Sequence, residues 1–450
     1  MNRLINKIIK EDNFLSLAGN LVIAIFGFGG FALLIRSFSP DDFAKWVLFI
    51  SGGSLIEMLR YGITNNGLVR FLAGANNENK EKLIGSNIVL SSFTTLVIIL
   101  IMLSIYGFFY SAINDSAYKS FFRWYPLLSL VNLPWNNAIV LQQAQMKYDK
   151  ILLIRALNSI FFFCFLIVNF IQLNLAIRDV IIVFILFNLL TSVVCISKSW
   201  DGLNLVHRAN KKTIRVLLNF GKYSTFTLIG TNLLRNADIL IISVSPFGSS
   251  AVALFSIPLK LTELQQIPLR SFAATAFPKM SKASIEGRIK DVQDLFHIYS
   301  GALTYFFFLL SLGTFFFAKE FVILVSGYQY LNVSEYGIDI VKIVRILSVY
   351  GLLLPLDRMT GISLDSLNRP NINALKVFIM LLTNILGDLI AIYLFESIEM
   401  VALSTLVFTL VGIGVGWYFL DKKFEISAYT MIKSTNSFYK NLWNQSFTRG

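Results

Sequence analysis

Twelve times along its 450 residues the chain runs for roughly 20 positions that are mainly apolar, the length at which a helix crosses a hydrocarbon core. The runs cover residues 14 to 35, 43 to 64, 84 to 110, 121 to 141, 151 to 172, 179 to 198, 223 to 245, 250 to 275, 296 to 318, 338 to 362, 372 to 395 and 399 to 420. A backbone in lipid must satisfy its own hydrogen bonds, so segments of this length predict an all-α membrane protein of twelve transmembrane helices. With 55% hydrophobic and 14% charged residues, the chain is too apolar to cover a soluble domain with charge. The first run, opening near Phe14, is too long for a signal h-region and lacks a small-residue cleavage site, so it reads as the first span. Cys164 and Cys195 both lie in apolar runs and give no disulfide framework. Two histidines and two cysteines in separate segments point to no metal site, and no cofactor is expected.

A formal net charge of +13 invites a nucleic-acid partner, and the placement of the charges argues against one. With the N-terminus inside, 26 of the 39 Lys and Arg fall on inner segments, 8 on outer ones and 5 within the runs. The positive-inside rule then puts both termini in the cytoplasm. Trp46, Trp124, Trp200 and Trp417 lie near the run ends, where amphipathic rings partition into the headgroup zone. Membrane lipids are the expected partners.

The chain also echoes itself. Leu34 to Glu57 aligns with Leu240 to Glu263 at a constant offset of 206, matching nine of 24 positions including an S-x-S-P turn and the closing Glu. The repeat predicts two six-helix bundles in the same orientation, over 1–198 and 223–420. A basic cytoplasmic linker over 199–222 joins them, and a cytoplasmic tail covers 421–450.

Charge inside a span costs roughly 2.5 to 3.5 kcal/mol on insertion scales, so it faces protein or a hydrated cavity. Arg60, Arg235, Lys260, Arg270 and Arg358 are such cations, and Arg36 ends the first run. Arg235 lies 13 residues beyond Lys222, about 20 Å along a helix and so near mid-membrane. Glu57 with Arg60, Arg235 with Asp238, and Lys260 with Glu263 are i,i+3 pairs that can neutralise each other on one helical face. Two readings stay open for each pair: a packing device, or part of a site. Arg270 has no acid at helical spacing, and the remaining cations point to a cavity suited to an anion. Asp388 has no cation within a helical turn and is a candidate to carry a proton or sodium ion, or else hydrogen-bonds across helices. The stretch NLPWNNA, Asn132 to Ala138, offers either a proline kink or, through Trp135, Asn136 and Asn137, stacking and hydrogen bonds for a sugar.

These segments resemble a known family. LLIRSFSPDDFAKWVLF followed by LIEMLRYGITNNGLVRFLAG is similar to the opening of the polysaccharide-transporter flippases. NADILIISVSPFGSSAVALFSIPLKLTELQQIPLRSFAATAFPKMSK is similar to their central hairpin, and LDRMTGISLDSLNRPNINALKVF to their connection between spans 10 and 11. Two details depart from the pattern. No glycine follows the aromatic after Pro40, and Arg60-Tyr61-Gly62 stands where the family often has an acid before glycine. The resemblance implies the superfamily that joins Wzx-type O-antigen flippases, lipid II flippases and MATE exporters. It implies a MATE-like fold of two bundles around a cavity open alternately to each side. The implied substrate is an undecaprenyl-diphosphate-linked oligosaccharide, an O-antigen or capsule repeat unit, moved from the inner to the outer leaflet. Arg36, Arg60, Arg235, Lys260, Arg270, Arg358, Trp135, Asn136 and Asn137 are then the expected substrate contacts, with Arg235, Lys260 and Arg270 on the diphosphate. Asp388, Asp238 and Glu263 are the expected ion-coupling acids. A polymerase and a chain-length regulator are expected as further partners. A cation-coupled MATE-type drug exporter and a lipid II flippase are the competing functions. An enzyme is not expected, because no D-x-D pair and no long outer loop is present.

Overall fold

The computed structural model describes residues 12–72, 75–145, 147–331 and 337–435. Among the described residues there is no strand, and twelve helices exceed 20 residues. They are α1 (Asp12–Ser37), α2 (Pro40–Leu72), α3 (Asn77–Phe108), α4 (Lys119–Ala144), α5 (Tyr148–Val168), α6 (Ile177–Ser197), α7 (Lys211–Ser243), α8 (Gly248–Ile285), α9 (Ile289–Phe316), α10 (Ile340–Ser366), α11 (Pro370–Tyr393) and α12 (Ile398–Asp421). Each of the twelve apolar runs lies on one of these helices.

The helix starts follow ordinary capping chemistry. Ser39 caps α2 by accepting the Asp42 N–H at 3.3 Å, Pro40 takes the first helical position, and Asp41 and Asp42 face the positive end of the dipole. Asn76, Asp339 and Ser397 cap α3, α10 and α12 in the same way.

Six helices, α3, α5, α6, α9, α11 and α12, are long and apolar enough by themselves to cross a membrane. Their outer faces carry exposed Phe93, Leu96, Leu100, Leu190, Phe308, Leu309, Leu382 and Leu386, an apolar surface that only lipid satisfies. The protein is a multi-pass membrane protein. The other long helices carry most of the charges within the apolar runs: Glu57 and Arg60 on α2, Arg235 and Asp238 on α7, Lys260 and Arg270 on α8, Asp357 and Arg358 on α10, with three asparagines on α4. On α1 the apolar helical stretch is Ala24–Ser37.

The chain divides into two compact units, Met1–Asn232 and Leu233–Gly450, with the division inside α7. In the N-terminal unit α4 is central and packs on α2, α3, α5 and α6; α2 also packs on α3, and α5 on α6. In the C-terminal unit α10 is central and packs on α8, α9, α11 and α12; α8 also packs on α9, and α11 on α12. These six pairings coincide once six is added to each label, whereas the packing of α1 on α5 and of α2 on α6 finds no such counterpart among the described residues of the C-terminal unit. Both central helices carry an interior proline followed closely by two polar residues, Pro134 with Asn136 and Asn137, and Pro355 with Asp357 and Arg358.

A further correspondence lies after the sixth helix of each unit. The 3-10 turn Leu203–Arg208 lies along the start of α3, where a side chain on Gly85 would collide with the Leu205 carbonyl. Asn210 N–H donates to Ser86 Oγ at 3.0 Å. In the C-terminal unit, residues 424–435 lie along the start of α9. There Gln293 Nε2 donates to the Glu425 carbonyl at 2.8 Å, the Ser427 N–H donates to His297 Nε2 at 3.3 Å, and Gly301 leaves room for the Met431 carbonyl.

Asp201, in the bend before the 3-10 turn, is 2% exposed. Its Oδ1 accepts the Leu203 N–H at 3.2 Å, whereas Oδ2 has no hydrogen-bond partner among the described residues. Burial pushes this carboxyl above the ordinary value of 3.8. An acid whose folded pKa is raised costs stability once the pH exceeds its unfolded value, because the folded state resists the charge. Asp201→Asn is therefore expected to unfold at a higher temperature than wild type at neutral pH, with the difference closing as the pH falls towards 3.8. A thermal-shift series over pH checks this, and an unchanged or lower midpoint at neutral pH refutes it.

Candidate functional site

In the C-terminal unit three helices bring arginines to one neighbourhood. Arg235 on α7, Arg270 on α8 and Arg358 on α10 are all exposed, and the charge of Arg270 interacts with both of the others and with Glu263. Among the described residues none of the three makes an ion pair within 4 Å. Three guanidinium groups without an ion-pair partner among the described residues, on helices of membrane-crossing length, form a surface suited to phosphate oxygens, which the planar fork binds two at a time. Lys260 is engaged by Glu263, Nζ to Oε2 at 2.7 Å, on the exposed flank of α8.

Asp238 does not pair with Arg235. It is 4% exposed and turns towards α11 and α12, where Asn384 Nδ2 donates to its Oδ1 at 3.0 Å and Thr405 Oγ1 to its Oδ2 at 3.3 Å. The same Asn384 nitrogen donates to Asp388 Oδ2 at 3.3 Å, and Ser404 Oγ donates to Asp388 Oδ1. The two carboxyl groups lie within hydrogen-bonding range of each other. Asp388 is fully buried. Residues three apart on a helix lie about 60° apart, so one can face the core while the other faces out, and α7 uses that difference. Among the described residues no cation stands within ion-pair distance of either acid. Glu263, the third expected coupling acid, belongs to the Lys260 pair instead.

The N-terminal unit contains a different network. Arg60 is 2% exposed, and its guanidinium donates to Glu57, to the Ser129 carbonyl at 3.2 Å and to Thr95 Oγ1 at 3.4 Å. Glu57 also accepts from Tyr125 Oη at 3.1 Å and Asn136 Nδ2 at 3.4 Å. The network ties α2 to α3 and α4. The NLPWNNA residues do not share a face: consecutive helical positions point about 100° apart. Asn136 turns to Glu57. Trp135 donates to Asn132 Oδ1 at 3.1 Å and packs beside Ala138, Ile154 and Cys195, and Asn137 is buried with Nδ2 without a partner among the described residues. Arg36 is exposed in the last turn of α1, a favourable end for a cation.

Sequence spacing missed Lys376, which it assigns to an inner segment. The residue lies inside α11, 2% exposed, with Nζ 2.6 Å from Asp357 Oδ1. It missed Asn384, Ser404 and Thr405 as well, since a neutral polar residue in an apolar run carries no distinctive signal.

The family model described as polysaccharide biosynthesis protein matches residues 9–284. The chain belongs to that family. No curated protein matches it in sequence. Among solved structures, it is similar to an inward-facing multidrug resistance MATE family transporter of the MOP superfamily, with TM-score 0.73 and 14% identity over 90% of this chain and 96% of that one. It is also similar to the lipid II flippase MurJ in an inward closed conformation, with TM-score 0.72 and 14% identity over 97% of this chain and 92% of that one. A MOP superfamily transporter from Pyrococcus furiosus matches with TM-score 0.63 and 14% identity over 90% and 93%. The fold is the one these transporters and flippases share, and neither the family nor these neighbours are enzymes.

Proposed function

We propose that this family member is a flippase for an undecaprenyl-diphosphate-linked oligosaccharide, the repeat unit of an O-antigen or capsule. It carries the head group from the inner to the outer leaflet of the bacterial cytoplasmic membrane by alternating access. All twelve long helices cross the membrane, both termini lie in the cytoplasm, and the bundles cover 1–198 and 223–420 with the basic segment 199–222 between them. The observation that carries the reading is the trio Arg235, Arg270 and Arg358, exposed without ion-pair partners among the described residues. A polyprenyl tail stays in lipid, while a diphosphate cannot cross hydrocarbon without compensating charge. A drug exporter for cations would not place three guanidinium groups together. A lipid II flippase shares the diphosphate and differs in the sugar, so the genes beside this one, for glycosyltransferases or for cell-wall synthesis, separate the two. A polymerase and a chain-length regulator are the expected assembly partners.

Transport is coupled to a proton or sodium gradient at Asp238 and Asp388. What supports this is their mutual approach and the hydroxyl oxygens of Ser404 and Thr405 beside them, a set suited to a hard monovalent cation as well as to a proton. Arg235→Ala is expected to abolish surface polysaccharide while the protein stays in the membrane at its normal level. Complementation of a deletion strain, read by polymer staining and immunoblot together, makes the measurement. Wild-type polymer from the variant sinks the reading.

A further inference from the structure

Three arginines attract a diphosphate only while the protein's own acids leave their charge uncompensated, and Arg358 has an acid as its chain neighbour. We propose that Lys376 is a positioning residue: by compensating Asp357 on the buried side of α10 it keeps the charge of Arg358 available to the diphosphate. The inference rests on the substrate reading above.

Lys376 is buried to 2% exposure, an expensive place for an ammonium group, and its hydrogen bonds and ion pair among the described residues go to one turn of α10. Nζ donates to the Asp357 carbonyl at 2.8 Å and to Thr360 Oγ1 at 2.9 Å. Its third contact is the ion pair with Asp357 Oδ1 at 2.6 Å. That oxygen receives no aligned N–H, so the carboxylate is held by charge and not by a directional bond. Pro355, two residues earlier, lacks the N–H that would close its own turn of the helix, and the lysine pins the turn that follows. Arg358 projects from this pinned turn to the exposed side, with the Arg270 charge within its field. Tyr350 on α10 senses the charges of both Asp357 and Arg235, which places Asp357 inside the same field.

Without Lys376, Asp357 becomes an uncompensated negative charge one residue from Arg358. It lowers the positive potential of the trio whether or not the two side chains touch, because screening is weak away from bulk water. Removing both Asp357 and Lys376 takes away the compensator together with the charge it compensates. The pair therefore predicts a rescue that a purely packing role does not.

The test uses the full chain in lipid nanodiscs with undecaprenyl diphosphate as the probe. Lys376→Met is expected to weaken binding about tenfold, the size of one charge-assisted contact. Lys376→Met with Asp357→Asn is expected to return to within about threefold of wild type. Equal impairment of the single and double variants overturns the proposal. If Lys376→Met is not recovered folded, Lys376→Gln serves: its amide reaches the same hydrogen-bonding groups without the charge, and wild-type affinity in it overturns the proposal too. A wild-type protein that does not retain the probe removes the substrate reading, and this inference with it, before any variant is compared.

Discussion

Replacing Glu57 by alanine is expected to remove most of the protein from the membrane. The glutamate is the acceptor for three donors, Arg60, Tyr125 and Asn136, which come from α2 and α4. Arg60 is 2% exposed, so its charge has no route to water when the acid is gone. Breaking one side of a buried pair costs about 3 to 5 kcal/mol, because the survivor is left as an unpaired buried charge. Against a total stability of about 5 to 15 kcal/mol, that loss is enough to unfold a marginal domain. Glu57→Gln keeps an acceptor oxygen and is expected to be milder. Glu57→Leu combined with Arg60→Met deletes both charges and is expected to recover much of the lost protein. Membrane-fraction immunoblots and thermal unfolding in detergent make the comparison. Wild-type abundance and melting for Glu57→Ala would falsify this account of the network.

Asp388→Asn and Asp238→Asn are expected to leave the protein folded and to uncouple it. Each keeps a polar side chain of the same size among Asn384, Ser404 and Thr405, and each removes the second negative charge that makes the pair hold a proton or a cation. Moving one elementary charge across 100 mV corresponds to about 2.3 kcal/mol, roughly fiftyfold in the ratio of substrate between leaflets. Proteoliposomes with an imposed gradient should show that ratio for wild type and lose it on addition of an ionophore. The Asn variants should give the ionophore-treated value from the outset. A variant that still accumulates substrate and still responds to the ionophore shows that coupling lies elsewhere.

How much of this was legible in the sequence depended on whether an interaction is local. Glu57 with Arg60 and Lys260 with Glu263 are made as their i,i+3 spacing predicts, since both partners lie on one helix and one flank. Arg235 with Asp238 has the same spacing and is not made. Helical periodicity fixes the angle between two side chains and says nothing of which neighbouring helix stands on each side, and Asn384 and Thr405 stand on one side only. Lys376 escaped for a related reason. Its partner Asp357 is 19 residues away on another helix, and Lys376 lies in the second turn of α11, close enough to the end of the run to be counted with the connecting turn. The duplication read from nine matching positions between Leu34 and Glu263 proved the most far-reaching clue, because it reappears in the helix pairings of both units.

The segments lying on Gly85 and Gly301 have a consequence for how such a chain is made. In each unit residues that follow the sixth helix lie along the beginning of the third, so a ribosome must complete a half before that contact can form. The first half reaches this point soon after Arg208 and can settle while the second is still emerging. The second half waits for residues 424–435. Premature termination anywhere in α12 or before Phe424 leaves Gln293 and His297 uncovered on α9, an unfinished surface of the kind that quality-control proteases recognise.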